Sequence, residues 1–242
     1  AAEVGELDAG AGADDLRGPH AEPLVQRDPE RLLAPPRCEV CLRFAPRCMC
    51  ARLPRGAPGV RVIIVRHAQE RKNPSNTGGL VRRVLAGAAL LDYAVRGRPF
   101  DGSALADGRT DYVVLFPRPG APPLAEALPP ARPGRARALV LLDATWPKAR
   151  RMARRIAAVR RLPFARLPDN AAPRFALRKP PRRGLLGTAE AAALALELAG
   201  EPAAARALME ALAAVAAEAF KERGKPAPLP TCSARRLRAA RP

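Results

Sequence analysis

The hydrophobic pattern sharpens at Val60, where Val60-Arg-Val-Ile-Ile-Val65 forms a β-branched run that predicts a buried strand ending at His67. Tyr112-Val-Val-Leu-Phe116 predicts a second strand stopped by Pro117, and Arg137-Ala-Leu-Val-Leu-Leu142 a third stopped by Asp143. Residues 162–167, LPFARL, offer a fourth, weakened by Pro163. Between the first two strands, Asn76-Thr77-Gly78-Gly79 reads as a helix start leading into LVRRVLAGAALLDYAV. A helix over 146–159 follows the third strand, with Ala149, Ala153, Ile156 and Ala157 as its buried side. Thr188 opens a long Ala/Leu helix, interrupted near Gly200-Glu-Pro202, and a second helix runs to about Phe220. Alternating strands and helices predict an α/β fold: a mostly parallel sheet with helices on its faces. Ligands of such sheets bind beyond the carboxyl ends of the strands, so the segments after Val65, Phe116 and Leu142 are the first places to look.

The flanks behave differently. Residues 1–34 are rich in Ala, Gly, Asp and Glu without apolar periodicity and read as a mildly acidic, disordered tail. Residues 35–54 form a compact cysteine module, 55–225 the main domain, and 226–242 a basic tail with Arg235, Arg236, Arg238 and Arg241. Composition changes the picture mainly through charge: 42 Lys and Arg against 23 Asp and Glu give a net charge of +19. A surplus of this size biases encounters towards polyanions, nucleic acid first and an anionic membrane surface second. No run of apolar residues is long enough to span a membrane. The start of the chain lacks the basic and apolar regions of a signal peptide, so a cytoplasmic location is expected.

The cysteines carry the first specific chemistry. Cys38, Cys41, Cys48 and Cys50 follow the spacing C-x2-C, six residues, C-x-C, while Cys232 stands apart. Clustered cysteines in a reducing compartment point to a metal rather than to disulfides. Four thiolates close a tetrahedral zinc shell, which makes the metal structural, and its binding would supply folding energy that so short a segment lacks. Free thiols, a redox pair or an iron–sulfur cluster are the alternatives. Arg37, Arg43, Arg47, Arg52 and Arg55 surround the module, as RNA contacts or as a solvated rim.

The strand ends carry the rest. His67, Glu70, Lys72, Asn76 and Thr77 follow the first strand, and Asn76 or Thr77 is placed to cap the next helix. Asp143-Ala-Thr-Trp146 follows the third strand: Asp143 emerges at the sheet edge, Thr145 is a candidate cap, and Trp146 is either a core anchor or a stacking surface. Beyond it, Arg150, Arg151, Arg154 and Arg155 form one stripe at helical spacing with no interleaved acid, a pattern that suits phosphate. Arg178, Lys179, Arg182 and Arg183 form a second basic segment leading into Leu186-Gly187-Thr188. There a glycine and a helix N-terminus suit a carboxylate. With Thr188 as the cap, Glu190 falls one place short of the capping-box position.

Taken in order, CEVC…CMC, HAQERKNPSNTGGL, LFP, LLDATW and LRKPPRRGLLGTAEAAALAL resemble the DTW-domain family of tRNA-uridine aminocarboxypropyltransferases over about residues 38–220. Ala68 departs from the proline common after the histidine in relatives. The resemblance implies a SPOUT-like fold with a C-terminal knot, S-adenosylmethionine as substrate and tRNA as partner. It implies that Thr77 approaches the ribose and that Leu115, Pro117, Trp146 and Leu186 wall the adenine. The backbone around Thr188 would receive the methionine carboxylate, with Phe116 and Gly187 completing the cofactor set. Asp143 becomes the general base for uridine N3, and Lys72 joins the two basic segments as an RNA contact. An RNA methyltransferase, a non-catalytic zinc-knuckle RNA-binding protein and an enzyme acting on ribosomal RNA are the competing readings. The oligomeric state is left open.

Overall fold

The structure, a computed structural model, describes residues 35–175, 177 and 186–224. The expected acidic tail (1–34), the basic tail (226–242) and Cys232 lie outside the described residues.

Five strands form one parallel sheet: β1 (Val60–His67), β2 (Ala89–Tyr93), β3 (Thr110–Leu115), β4 (Ala136–Asp143) and β5 (Phe164–Ala165), in the order β2-β1-β4-β3-β5. Alternate strand residues enter two cores. Val62, Ile64, Val113, Leu115, Leu139 and Leu141 face α1 (Gly78–Val84), α5 (Thr188–Leu198) and α6 (Pro202–Lys221). Ile63, Val65, Val114, Phe116, Ala138 and Val140 face α3 (Trp146–Arg155) and α4 (Ala157–Arg160). A short α2 (Leu124–Ala127) follows β3. Strands buried on both faces explain why β1 and β4 read as continuous apolar runs. The expected parallel α/β sheet with helices on both faces is therefore what the chain forms. The stretch that leads into α5, where the family resemblance implies a knot, includes residues 178–185, outside the described residues.

Three expected elements differ. The helix expected to run through LVRRVLAGAALLDYAV is α1 alone; Gly87, at φ +70°, turns the chain, and Ala89–Tyr93 pairs with Ile63–His67 as an edge strand. An apolar run without clear period fits either state, and pairing with β1 decides it. The helix expected over 146–159 breaks at Ile156, whose ψ of 107° is extended. That break changes the buried side: Ala149, Met152, Ala153 and Ile156 are buried, and Ala157 is exposed. The fourth strand shrinks to Phe164–Ala165, although the Pro163 carbonyl still accepts from the Val114 N–H at 2.8 Å.

The cysteine module packs into the first of these cores through Cys41 and Leu53. Leu42 takes a left-handed conformation (φ 57°) that folds the knuckle back, with the Leu42 N–H donating to the Cys38 carbonyl at 2.9 Å.

Candidate functional site

The carboxyl ends of β1 and β4 lie side by side, with Arg66 in register with Asp143. Asp143 is buried, 3% exposed, and both of its oxygens are engaged. Asn76 Nδ2 donates to Oδ2 at 2.7 Å, and the Thr188 hydroxyl donates to Oδ1 at 2.6 Å. Three segments far apart in sequence thus meet on one carboxylate. Asn76 Oδ1 accepts from the Gly78 N–H at 3.1 Å, which fixes the amide with its nitrogen towards Asp143. A Cβ on Gly78 would overlap Asp143 Oδ2, so this approach requires glycine. Burial pushes the Asp143 carboxyl above its ordinary range; the bonds from Thr188 and Asn76 pull the other way, and nearby Glu70 reinforces the rise.

Of the two residues expected to cap α1, neither does so simply. Asn76 takes the first N–H of the helix, and the Thr77 hydroxyl instead accepts from the Ala189 N–H of α5 at 3.0 Å. The cap of α5 is Gly187, not Thr188, which corrects the expected phase by one residue. Glu190 then occupies the capping-box position: its Oε2 accepts from the Gly187 N–H at 3.2 Å. Its Oε1 also receives the N–H groups of Arg174 at 2.5 Å and Phe175 at 3.0 Å, a tie between two segments that no sequence signal announces. Thr145 precedes α3 but makes no side-chain cap.

The adenine-wall candidates divide across the sheet. Leu115 faces the α5 and α6 side, while Phe116 and Trp146 pack on the α3 side with ring centroids 5.8 Å apart. Trp146 is only half-buried, so it both anchors and offers surface. Pro117 and Gly187 are exposed, and Leu186 and Thr188 half-buried.

Arg150, Arg151, Arg154 and Arg155 are all exposed on α3, and no ion pair among the described residues involves them. His67, half-buried at the end of β1, is held below its ordinary pKa by burial and by nearby Lys148 and Arg151. The stripe thus stands beside the strand ends. Lys72 is exposed in the loop after β1. Arg178, Lys179, Arg182 and Arg183 lie outside the described residues. The strand ends also hold what the sequence did not assign: Arg66 of β1 makes a two-pronged contact to its neighbour Asp92 of β2, at 2.8 and 3.2 Å.

The cysteine module offers a metal centre. The Sγ atoms of Cys38, Cys41, Cys48 and Cys50 lie within 4.8 Å of one another. Cys38 and Cys50 are 3.7 Å apart, Cys41 and Cys48 3.8 Å. Metal–sulfur bonds near 2.3 Å put the edge of a tetrahedron at about 3.8 Å, so the donors fit zinc. The surrounding arginines divide: Arg52 and Arg55 are exposed, while Arg37, Arg43 and Arg47 reach carboxylates of the body. Arg43 is 1% exposed and donates to Glu222 at 2.9 Å, to the Cys41 carbonyl at 3.2 Å and to the Pro74 carbonyl. Arg37 reaches Glu222 at 3.1 Å, and Arg47 reaches Glu218 at 2.8 Å. Arg83 clasps the Cys50 carbonyl with two N–H groups, at 3.1 and 2.8 Å. The Val40 carbonyl sits against Gly79, so the knuckle backs directly onto the start of α1 and the Asn76–Gly78 loop.

A tRNA-uridine aminocarboxypropyltransferase 2 from Drosophila melanogaster is 28% identical over 191 residues, covering 75% of this chain and 70% of that protein. No solved structure matches the chain. The DTW domain matches residues 35–219, which takes in the cysteine module, the Asn76–Gly78 loop, Asp143 and the start of α5. The chain belongs to the DTW domain family.

Proposed function

We propose that this chain transfers the 3-amino-3-carboxypropyl group of S-adenosylmethionine to N3 of a uridine in tRNA. The observation that carries the proposal is the buried Asp143 carboxylate at a strand end, held by Asn76 and Thr188, in a DTW-domain chain similar to a protein named as a tRNA-uridine aminocarboxypropyltransferase. When bound, S-adenosylmethionine supplies a sulfonium-activated carbon and a neutral leaving group, methylthioadenosine. Half-buried Trp146 and Leu186, with Leu115 and Pro117, suit an adenine ring, and Thr77, Phe116, Gly187 and Thr188 complete the set. Asp143 takes the N3 proton as uridine attacks. Its oxygens each keep a lone pair beyond the bonds from Asn76 and Thr188, which orient the carboxylate. The SPOUT-like knot belongs to this proposal. Zinc closed by four thiolates holds the knuckle and takes no part in the transfer.

The raised Asp143 pKa sets a sign. The base form is lost as pH falls through that value, so transfer should rise with pH along an acid limb lying above the ordinary carboxylate range. Asp143→Ala should abolish transfer while cofactor binding persists; full activity in that variant removes the base assignment. The deciding experiment incubates unmodified tRNA with the protein and S-adenosylmethionine and weighs the nucleosides. A uridine heavier by an aminocarboxypropyl group supports the proposal. A methyl increment identifies a methyltransferase, and tRNA binding without any mass change identifies a binding protein; either outcome overturns it.

A further inference from the structure

Beyond the strand-end site, the open β5 edge of the sheet carries a cleft with unbalanced charge. The cavity measures about 400 Å³, within the size range of small-ligand sites. Its lining contains Arg118 and Arg160 and no acidic residue; the rest is apolar or glycine, including Pro119, Ala127, Leu162 and Phe164. No ion pair among the described residues involves either arginine.

The walls are fixed rather than loose. Arg118-Pro119-Gly120-Ala121 is a type II turn, closed by the Ala121 N–H on the Arg118 carbonyl at 3.0 Å, with Gly120 at φ +76°. The chain behind the turn is pinned to the segment after β5: the Arg166 N–H donates to the Pro122 carbonyl at 2.9 Å, and the Leu124 N–H to the Arg166 carbonyl at 3.0 Å. The Arg118 guanidinium lies 4.5 Å over the buried Phe164 ring, which holds one face of the planar group, and both residues line the cleft. Arg160, exposed at the end of α4, lines the same cleft and follows the arginine-bearing helix α3 in the chain.

A flat apolar surface edged by two cations matches one chemistry: a base joined to a phosphate. Bases stack on guanidinium planes, and phosphates take arginine N–H groups. Arg118 lies two residues beyond Phe116, whose ring packs on Trp146, so the cleft adjoins the strand-end site on its β5 side. We infer that this cleft seats a nucleotide of the RNA strand that flanks the target uridine, its base on Arg118 and its phosphate at Arg160. This rests on the tRNA reading above. A free mononucleotide has the same chemistry. The strand is favoured because the cleft adjoins the strand-end site through Phe116 and Trp146, and Arg160 follows the arginine-bearing helix α3 in the chain.

The test compares the full chain with Arg118→Ala/Arg160→Ala and with Arg109→Ala/Arg132→Ala, which removes the same charge from the other end of the strands. Each is titrated with unmodified tRNA over a range of salt concentrations, and its binding of S-adenosylmethionine and its melting curve are recorded. The cleft variant should bind tRNA roughly tenfold more weakly than the control variant, with a salt slope shallower by about 0.7 to 0.9, as loss of the one phosphate contact at Arg160 requires. Its melting curve and cofactor binding should match the unaltered protein. Equal behaviour of the two variants overturns the inference. So does binding of free uridine monophosphate that is lost in the cleft variant yet leaves tRNA affinity unchanged in the unaltered protein, which would make the cleft a mononucleotide site. If the unaltered protein binds no tRNA, the tRNA reading falls and this inference with it. If it binds tRNA and only the cleft variant is indistinguishable from the control, the inference alone falls.

Discussion

Two groups of arginines look alike in the sequence and do opposite things in the fold. Arg37, Arg43 and Arg47 flank the cysteines, and all three end on Glu222 or Glu218 at the C-terminal end of α6. Arg150, Arg151, Arg154 and Arg155 stand exposed on α3 with no carboxylate among their ion partners in the described residues. The first group reaches from the cysteine module to carboxylates on the body of the protein. The second leaves its charge to the solvent side, where it attracts polyanions. A net charge of +19 is therefore not one property of this chain: part of it is internal fastening and part is surface field. A partner, and how deeply the pair is buried, decides which is which, not the arginine count.

The sharpest way to break the fastened side is through the metal. Cys41→Ser, or a strong chelator, should remove most of the stability of the chain. Structural zinc in small modules contributes on the order of 10 kcal/mol, comparable with the whole stability of a domain. The readouts are metal content per chain and the melting curve. A chain that melts normally without metal would show that the thiols pack without an ion. Next comes Arg43→Ala. It leaves Glu222, 4% exposed, without its most buried partner, and removing one member of a buried pair costs about 3–5 kcal/mol. The midpoint of unfolding should fall by roughly 10 °C. Arg43 also holds the Pro74 carbonyl, so the Asn76 loop should loosen, visible as faster amide exchange at Gly78.

How much of this was legible follows from where the information sits. The cysteine centre was readable because its four donors are local in sequence and the spacing is itself the geometry. Strands β1 and β4 were readable because burial on both faces demands unbroken apolar runs. Strand β2 was not: Ala89–Tyr93 is apolar without a period, and its pairing with β1 is a tertiary fact. The end of α3 at Ile156 carries no glycine or proline to mark it. At the site, Asp143 announced itself by ending an apolar run, but Asn76 donates to it across 67 residues of sequence. Glu190 was misread because its helix is capped by Gly187, which has no side chain to signal the position. The fate of the module's arginines was hidden for the same reason, since Glu218 and Glu222 lie far along the chain.

The exposed group should respond in the opposite way. Replacing Arg150, Arg151, Arg154 and Arg155 with alanine should leave the melting midpoint almost unchanged or raise it slightly. Alanine is a better helix former, and four like charges on one stripe repel. Binding of tRNA should weaken strongly, and the salt slope should fall by about 3 to 4 if each arginine meets one phosphate. A slope that stays put would assign the stripe to plain solvation.

The smallest expected effect tests what separates the two groups. Arg47 has a carboxylate partner, as Arg43 does, at 2.8 Å, but its side chain is 50% exposed against 1% for Arg43. If pairing alone made an arginine structural, Arg47→Ala would cost as much as Arg43→Ala. Solvent screens an exposed pair, and holding two long side chains in one geometry costs entropy, so such pairs contribute about 0–1 kcal/mol. Arg47→Ala should therefore shift the midpoint by no more than about 3 °C, and added salt should erase even that. A loss as large as that for Arg43 would mean that the ion pair, rather than its burial, fastens the module. Arg47 would then belong with Arg43 in the clamp, and the dividing line would run between paired and unpaired arginines instead of between buried and exposed ones.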